Sequence, residues 1–336
     1  MRRIRVGIMG FGLIGRQIYQ LATEGDRFEV PAVSDIGAPD ILHHLLTRDA
    51  REPVCSLVGN HLDNGVFSTR MLRTDQPREV PWDAFGVDAV VDATGRFRSR
   101  ADMQAHLDNG AGRVLISALP LDEIDRVVIP GINAADAKRE DRMICAGSAS
   151  TTAMALVLKV LSSRFEIALA TMTSVHAYTS DQSLQDYVGP DYRRSRSGAE
   201  NIIPNVTDAP RWVAHVLPKF AGKLSGYALN VPVQKGSLLD VTVAFEDAAV
   251  DVADVNAAMV QAAADLPSLI AVAKDPIVSS DVIGCRQSLL FDLPATLKAG
   301  RHLIKMLAWH ESRGHAARIL DVLAHYTALD EAGARA

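Results

Sequence analysis

The chain has 336 residues, 48% of them hydrophobic and 22% charged, and a net charge of −5. That length suits two domains with sizeable cores, and the composition is globular, neither disordered nor fibrous. The acidic balance gives no general attraction to nucleic acid or to anionic membranes, and no apolar run approaches the roughly 20 residues needed to cross a bilayer. The three cysteines, Cys55, Cys145 and Cys285, are widely spaced and odd in number. They suggest neither a disulfide framework nor a Cys-x-x-Cys metal pattern, and they fit reduced thiols in a cytoplasmic protein.

Residues 4–9 (IRVGIM) are a short apolar run fit for a buried parallel strand. The basic residues before it imitate a secretory signal, but the run is short and broken by glycine. Glycines follow, then the helically spaced GRQIYQLATE, then FEVPAVSD, a second strand ending in Asp35, so residues 1–35 read as one βαβ unit. The runs VDAVVDAT (87–94) and GRVLIS (112–117) are further strands, with the helical ADMQAHLDNGA between them. This alternation predicts an α/β domain built on a doubly wound parallel sheet of the Rossmann type.

After about residue 150 the texture changes. ASTTAMALVLKVLSSRF (149–165) predicts one long amphipathic helix. IALATMTSVHAY (167–178), GYALNVPV (226–233) and SLLDVTVAFED (237–247) are longer, more often alternating strands. They predict an α+β domain with a mixed, mostly antiparallel sheet. Residues 251–265 predict a helix with Asp251 as its N-cap, and ARILDVLAHYTALDEA closes the chain with an amphipathic helix. There is no internal repeat and no low-complexity linker. His43 and His44 are adjacent, so on a helix they diverge and do not chelate; no metal site is expected.

Gly10-Phe11-Gly12-Leu13-Ile14-Gly15 is a G-x-G-x-x-G that follows a strand and opens a helix, the context the motif requires. The first glycine permits the tight turn, the second lets the backbone approach a pyrophosphate, and the third lets helix and strand pack closely. The helix N-terminus offers N–H groups to phosphates. Asp35 lies twenty residues past Gly15 at a strand end. A carboxylate there accepts both ribose hydroxyls of adenosine and repels a 2′-phosphate, so the expected cofactor is NAD rather than NADP. Thr94-Gly95 and Ser117 end strands at the sheet edge that meets such a cofactor.

VGIMGFGLIGR, HLLTRDA, VVDATGRF, TSVHAYTSDQSLQDY, RRSRSGAENIIP, KLSGYALNVPV and LLDV stand in the order found in phosphorylating glyceraldehyde-3-phosphate dehydrogenases. Over essentially its whole length the chain resembles that family, with HAYTSDQ and DYRRSR most like its bacterial and chloroplast branches. The resemblance implies a homotetramer and three regions: an NAD-binding domain over 1–148, a catalytic and tetramerisation domain over 149–315, and a helix over 316–336 that returns to the first domain. In the family a cysteine thiolate attacks an aldehyde, a histidine acts as base, hydride passes to NAD, and inorganic phosphate releases the thioester. The cysteine belongs to S-C-T-T-N at the start of the long helix, whose N-terminus favours a thiolate.

Here that segment reads Ser148-Ala149-Ser150-Thr151-Thr152, and Ala149 occupies the nucleophile's position. Cys145 lies four residues earlier in MICAG, where it reads as a buried structural residue. His176, in SVHAY, matches the family's base. The family's N-G-F-G-R-I-G has become Met9-Gly10-Phe11-Gly12-Leu13-Ile14-Gly15. The arginine of R-V-P-T, which contacts substrate phosphate in the family, falls at Asn230. Thr207 matches the threonine of the inorganic-phosphate site, but Asp208 replaces the following glycine, and a carboxylate there disfavours a phosphate anion. The asparagine that orients the nicotinamide amide falls at Ser312. On the substrate side, Thr179 and Asp181 match residues lining the family's substrate-phosphate site, and Arg194 and Arg196 lie in the loop that supplies a phosphate-binding arginine.

The expectation is an NAD-dependent oxidoreductase acting on a small, polar aldehyde or hydroxy compound, with or without a phosphate. His176 is its base, and no cysteine acyl-enzyme forms. Ser148 or Ser150 replaces the thiol only if a base deprotonates it. The alternatives are an inactive NAD-binding paralogue with a regulatory role and an engineered cysteine-to-alanine variant of a dehydrogenase. The RRSR loop alone does not make a nucleic-acid surface on an acidic chain.

Overall fold

The computed structural model describes residues 2–49, 55–179 and 182–335. It divides into two units, one of Met1–Gly147 with Ala316–Ala336 and one of Ser148–His315. Ser148 falls with the second unit because it caps the helix that follows it.

The strands of the first unit are β1 (Ile4–Met9), β2 (Phe28–Glu29), β3 (Ala32–Ser34), β4 (Ser56–Val58), β5 (His61–Asp63), β6 (Ser68–Leu72), β7 (Ala89–Asp92), β8 (Arg113–Ile116), β9 (Arg126–Val127) and β10 (Met143–Cys145). They form one sheet in the order β4-β5-β6-β3-β1-β7-β8-β10-β9, with β2 beside β1. From β6 to β9 every pairing is parallel; the β4-β5-β6 edge is antiparallel. FEVPAVSD, expected as one strand, is two. Pro31 separates β2 from β3 because it has no N–H to give to a ladder. Helices α1 (Leu13–Thr23), α2 (Pro39–Asp49) and α3 (Arg100–Asp108) alternate with the strands. Val6, Ile8, Val91, Leu115 and Ile144 fill the sheet's interior beside Ile18 and Tyr19 of α1. The last helix, α7 (Ser312–Arg335), adds Ile319, Leu320, Leu323 and Tyr326 to this core. Fully burying one such side chain contributes roughly 1.5–3 kcal/mol.

The second unit holds α4 (Ala149–Ser162), β11 (Ile167–Ala177), β12 (Ile203–Asn205), α5 (Ala209–Val216), β13 (Leu224–Val231), β14 (Ser237–Phe245), α6 (Val252–Asp265), β15 (Ile270–Ala273), β16 (Leu289–Ala299) and β17 (Leu303–His310). Its sheet order is β12-β13-β11-β14-β17-β16-β15. The β11–β13 and β15–β16 pairs are parallel and the other four antiparallel, the mixed sheet that the alternating strands predict. α4 is apolar almost all round, from Ala153 to Leu158, and is correspondingly buried against β11, β14 and β17. Asp251 caps α6 in a reciprocal capping box with Asp254.

Strand alternation fixes which residues face α4. On β14 Leu239, Val241, Val243 and Phe245 are buried, while the residues between them are not. Ser237 shares their parity and pairs with His310, and Val175 pairs with Leu238, which brings His176 level with Ser237. His176 pairs in turn with Asn230. Asn230, His176, Ser237 and His310 therefore stand side by side across four strands, on the buried face of the sheet. Among the described residues no helix is long and apolar enough to cross a membrane.

Candidate active site

In the first unit the glycine loop has the geometry a dinucleotide needs. Gly10 has φ +86°, and a Cβ there would lie 2.7 Å from Thr94 N. A Cβ on Gly15 would lie 2.1 Å from the Gly10 carbonyl oxygen. Both glycines are required by the fold itself. Gly12 is different: a Cβ there meets nothing within 4 Å. It is the N-cap of α1, contributes no side-chain cap, and heads a first turn without an acidic residue. Uncapped N–H groups facing open space are what a pyrophosphate requires. Leu13 is exposed beside them, and Ile14 packs partly onto the core.

Phe11 is buried, and its N–H donates to Asp35 Oδ2 at 2.7 Å; the Gly37 N–H donates to Oδ1 at 2.8 Å. Two backbone donors thus aim the Asp35 carboxylate, whose remaining lone pairs can accept ribose hydroxyls. The residues present fit NAD.

Thr94 is held by a buried chain that the sequence reading missed. The Trp82 indole N–H donates to His106 Nδ1 at 3.0 Å. That places the ring proton on Nε2, which lies 3.1 Å from Asp92 Oδ2. Asp92 Oδ1 then accepts from both the N–H and the hydroxyl of Thr94, at 2.9 and 2.6 Å. Gly95 follows with φ +68° and open space over its Cα, and the Ser117 N–H donates to the Asp92 carbonyl at 2.9 Å. The strand end is thereby locked from the core outward.

In the second unit Ser148 caps α4, accepting from Thr151 N at 3.2 Å. Its hydroxyl also lies 2.8 Å from Thr151 Oγ1 and 3.3 Å from Ser150 Oγ. These hydroxyls partner one another, and among the described residues no imidazole is hydrogen-bonded to them. Ala149 adds only a methyl group. Cys145 is fully buried on β10, accepts from Gly147 N, donates to the Ala118 carbonyl at 3.3 Å, and has its thiol pushed up by burial to about 12. Burial also raises the Cys55 and Cys285 thiols.

His176 is half-buried, and its Nε2 lies 2.8 Å from Ser174 Oγ, two residues back on the same face of β11. Its Nδ1 has no hydrogen-bond partner among the described residues. The His310 ring meets it edge to face, with centroids 5.6 Å apart and planes at 68°. Burial lowers both imidazoles from the ordinary histidine value. For His310, which the neighbouring His176 and His315 also disfavour as a cation, the result is about 3. Burial thus biases His176 toward its neutral form, the form that can accept a proton.

The remaining candidates spread over the second unit. Asn230 is buried, and its Nδ2 donates to Gln182 Oε1 at 2.7 Å. Thr179 is exposed just past the end of β11; Asp181 lies outside the described residues. The Arg196 guanidinium pairs with Asp186 at 2.8 Å, and the Arg194 N–H donates to Asp191 Oδ1 at 2.8 Å. Thr207 Oγ1 accepts from Ala209 N at 3.2 Å, and the exposed Asp208 heads α5, its carbonyl accepting from Trp212 N. Ser312 donates to Glu311 Oε1 at 2.6 Å, and Glu311 Oε2 accepts the Arg313 N–H at the start of α7. Among the described residues, no hydrogen bond or ion pair joins Arg196, Thr207 or Asp208 to His176 or Asn230. The sequence reading also missed Ser174, Gln182 and His310. The two-residue strand period pointed to Ser174, and the WHES segment contains His310 beside the chosen Ser312.

Residues 4–100 match the family model described as glyceraldehyde 3-phosphate dehydrogenase, NAD binding domain, and residues 148–312 match the model for the C-terminal domain of the same enzyme. The chain is 37% identical over 330 residues to glyceraldehyde-3-phosphate dehydrogenase 1 of Bacillus subtilis, covering 96% of this chain and 98% of that one. It is 39% identical over 337 residues to glyceraldehyde-3-phosphate dehydrogenase of Mycolicibacterium smegmatis, with the same coverage. With the Streptomyces coelicolor enzyme of that name it shares 37% over 328 residues, 95% of this chain and 97% of the other. The glycine loop and its Asp35 are thus part of an NAD-binding domain, and the His176 strand is part of the partner domain found with it. The chain belongs to the glyceraldehyde-3-phosphate dehydrogenase family.

Proposed function

We propose that the chain is an NAD-dependent oxidoreductase of a small aldehyde or hydroxy compound that works without an acyl-enzyme. The observation that carries this reading is the absence of a usable thiol beside a usable base. Ala149 stands at the nucleophile's position, and burial raises all three thiols away from the thiolate form. Burial biases His176 toward its neutral form, and in the tautomer whose Nε2–H donates to Ser174 its Nδ1 is the accepting nitrogen. Bound NAD supplies the hydride acceptor. Nδ1 of His176 takes the hydroxyl proton of an alcohol or an aldehyde hydrate as hydride leaves the same carbon. Ser174 holds Nε2 and so the ring's orientation. Phosphorolysis has no thioester to act on, and Asp208, exposed beside Thr207, repels inorganic phosphate.

In the same reading Ser148 and Ser150 shape the substrate end of α4. Asn230, Thr179, Arg194 and Arg196 supply its polar surroundings, and Ser312 stands where the nicotinamide amide is oriented. The cytoplasmic protein is a homotetramer by its resemblance to the family. The test is NAD and NADP calorimetry, followed by reduction of NAD with a panel of aldehydes and polyols, phosphorylated and not. Preferential NAD binding with turnover that His176→Ala abolishes supports the reading. Tight NAD binding with no reduction across the panel replaces it with a regulatory paralogue.

A further inference from the structure

Gln182 and Asn230 form a pair that is both buried and incomplete. Gln182 is 5% and Asn230 7% exposed. The Asn230 amide donates to Gln182 Oε1 at 2.7 Å, which leaves the Gln182 Nε2 donors facing no acceptor although they are buried. A buried N–H without a partner is a standing cost that folding does not recover, and such groups in native proteins ask for an explanation. The pair stands beside the base: Asn230 is the strand partner of His176 in the β11–β13 ladder. No lysine or arginine hydrogen-bonds or ion-pairs with either amide among the described residues.

We propose that the Gln182–Asn230 pair is the specificity-determining element of the substrate site, and that it takes an uncharged oxygen, a hydroxyl or carbonyl, where a phosphorylated substrate would place its phosphate. The chemistry of the donors decides this. A phosphate dianion brought against two neutral, buried carboxamides loses its hydration and gains no cation in return. A hydroxyl or carbonyl oxygen gives Gln182 Nε2 the acceptor it lacks and brings no charge. The pair also resists accidental occupancy, since Asn230 is already committed to Gln182 and cannot swing toward an anion without breaking that bond. A ligand without an oxygen at this position leaves the donor unpaired and binds about tenfold to a hundredfold more weakly. The inference rests on the proposed role of His176, because that places the substrate at this rung.

Ligand-detected NMR on the full chain saturated with NAD tests it, using D-glyceraldehyde against D-glyceraldehyde 3-phosphate and D-erythrose against D-erythrose 4-phosphate. The measurement is made in the wild type and in His176→Ala, so affinity is read whether or not hydride moves. The expected result is at least tenfold tighter binding of the unphosphorylated member of each pair. Gln182→Met, which keeps the length but removes both the Nε2 donor and the Oε1 acceptor of Asn230, weakens that member about tenfold to a hundredfold with NAD affinity unchanged, and lowers the thermal midpoint because the Asn230 N–H loses its partner. Asn230→Arg reverses the preference toward the esters. Tighter binding of the esters by the wild type overturns the proposal, as does a Gln182→Met protein that binds like the wild type, or no binding of either member while NAD still binds. Turnover surviving in His176→Ala with the preference intact removes the base reading and leaves this one standing.

Discussion

His310 makes the second unit sensitive to acid in a way that one substitution removes. Its side chain is 4% exposed and its Nε2 has no hydrogen-bond partner. The titratable neighbours that hold its pKa down are His176 of β11 and His315 at the start of α7, and both repel a proton. Its other near neighbours are Ser237, opposite it on β14, and Glu311, whose carboxylate is occupied by Ser312 and Arg313 N. The folded imidazole titrates at about 3, against an ordinary value of 6.5. Between those values the unfolded chain binds the proton and the folded chain does not, so stability rises with pH and is lost as pH falls below 6.5. The slope is about 1.4 kcal/mol per pH unit, and between pH 6.5 and pH 5 the loss reaches about 2 kcal/mol. His310→Phe removes the titrating group and, because Nε2 has no partner, sacrifices no hydrogen bond made by that atom. Chemical denaturation of both proteins at pH 7 and pH 5 measures the effect. The wild type should lose about 2 kcal/mol more than the variant over that interval. Equal losses, or an NMR titration of His310 near 6.5, would refute the reasoning.

Three further outcomes follow from the same geometry. Turnover should rise with pH through a midpoint below the ordinary histidine value, because burial lowers His176, and should be flat near neutrality; His176→Ala should lose roughly 10²–10⁴-fold in kcat with NAD affinity unchanged. Gly15→Ala should destabilise the first unit, because its methyl group meets the Gly10 carbonyl, whereas Gly12→Val should leave the thermal midpoint nearly intact and weaken NAD binding at the open helix terminus, as calorimetry would show. In Ala149→Cys the new thiol sits at the N-terminus of α4, and iodoacetamide should alkylate it faster than Cys55 or Cys285, with mass spectrometry locating the label.

The glycine loop was legible because each of its residues answers a backbone demand that shows in the sequence: a turn, an open helix end, a close packing contact. Asp35 was legible as a strand-end carboxylate. The chain from Trp82 through His106 and Asp92 to Thr94 was not, since its members come from a 3-10 turn, a helix and a strand end that only the folded sheet brings together. The single strand expected over FEVPAVSD failed at Pro31, where a local rule outweighed the apolar pattern. Short edge strands such as β4 and β5 carry too few residues for a period to show. His310 escaped notice because its importance lies in the ring it touches, two strands away in the sheet order.

The departures at this site belong together chemically, and that argues against a lone cysteine-to-alanine replacement. Such a replacement would leave a phosphate-reading arginine at position 230 and a glycine at 208. Here Asn230 has acquired a buried partner in Gln182, and Asp208 sets a carboxylate at the head of α5. The Ser148 hydroxyl, next to the missing thiol, is absorbed into contacts with Ser150 and Thr151. Each change removes a requirement of phosphorolysis: the nucleophile, a cationic anchor, and tolerance for an incoming anion. The glycine loop, Asp35 and His176 remain, while Ser312 stands in place of the asparagine that orients the nicotinamide amide in the family. In the proposed reading, a site altered in that pattern carries out an oxidation that ends when the hydride has left, with water or a hydroxyl in place of thiol and phosphate.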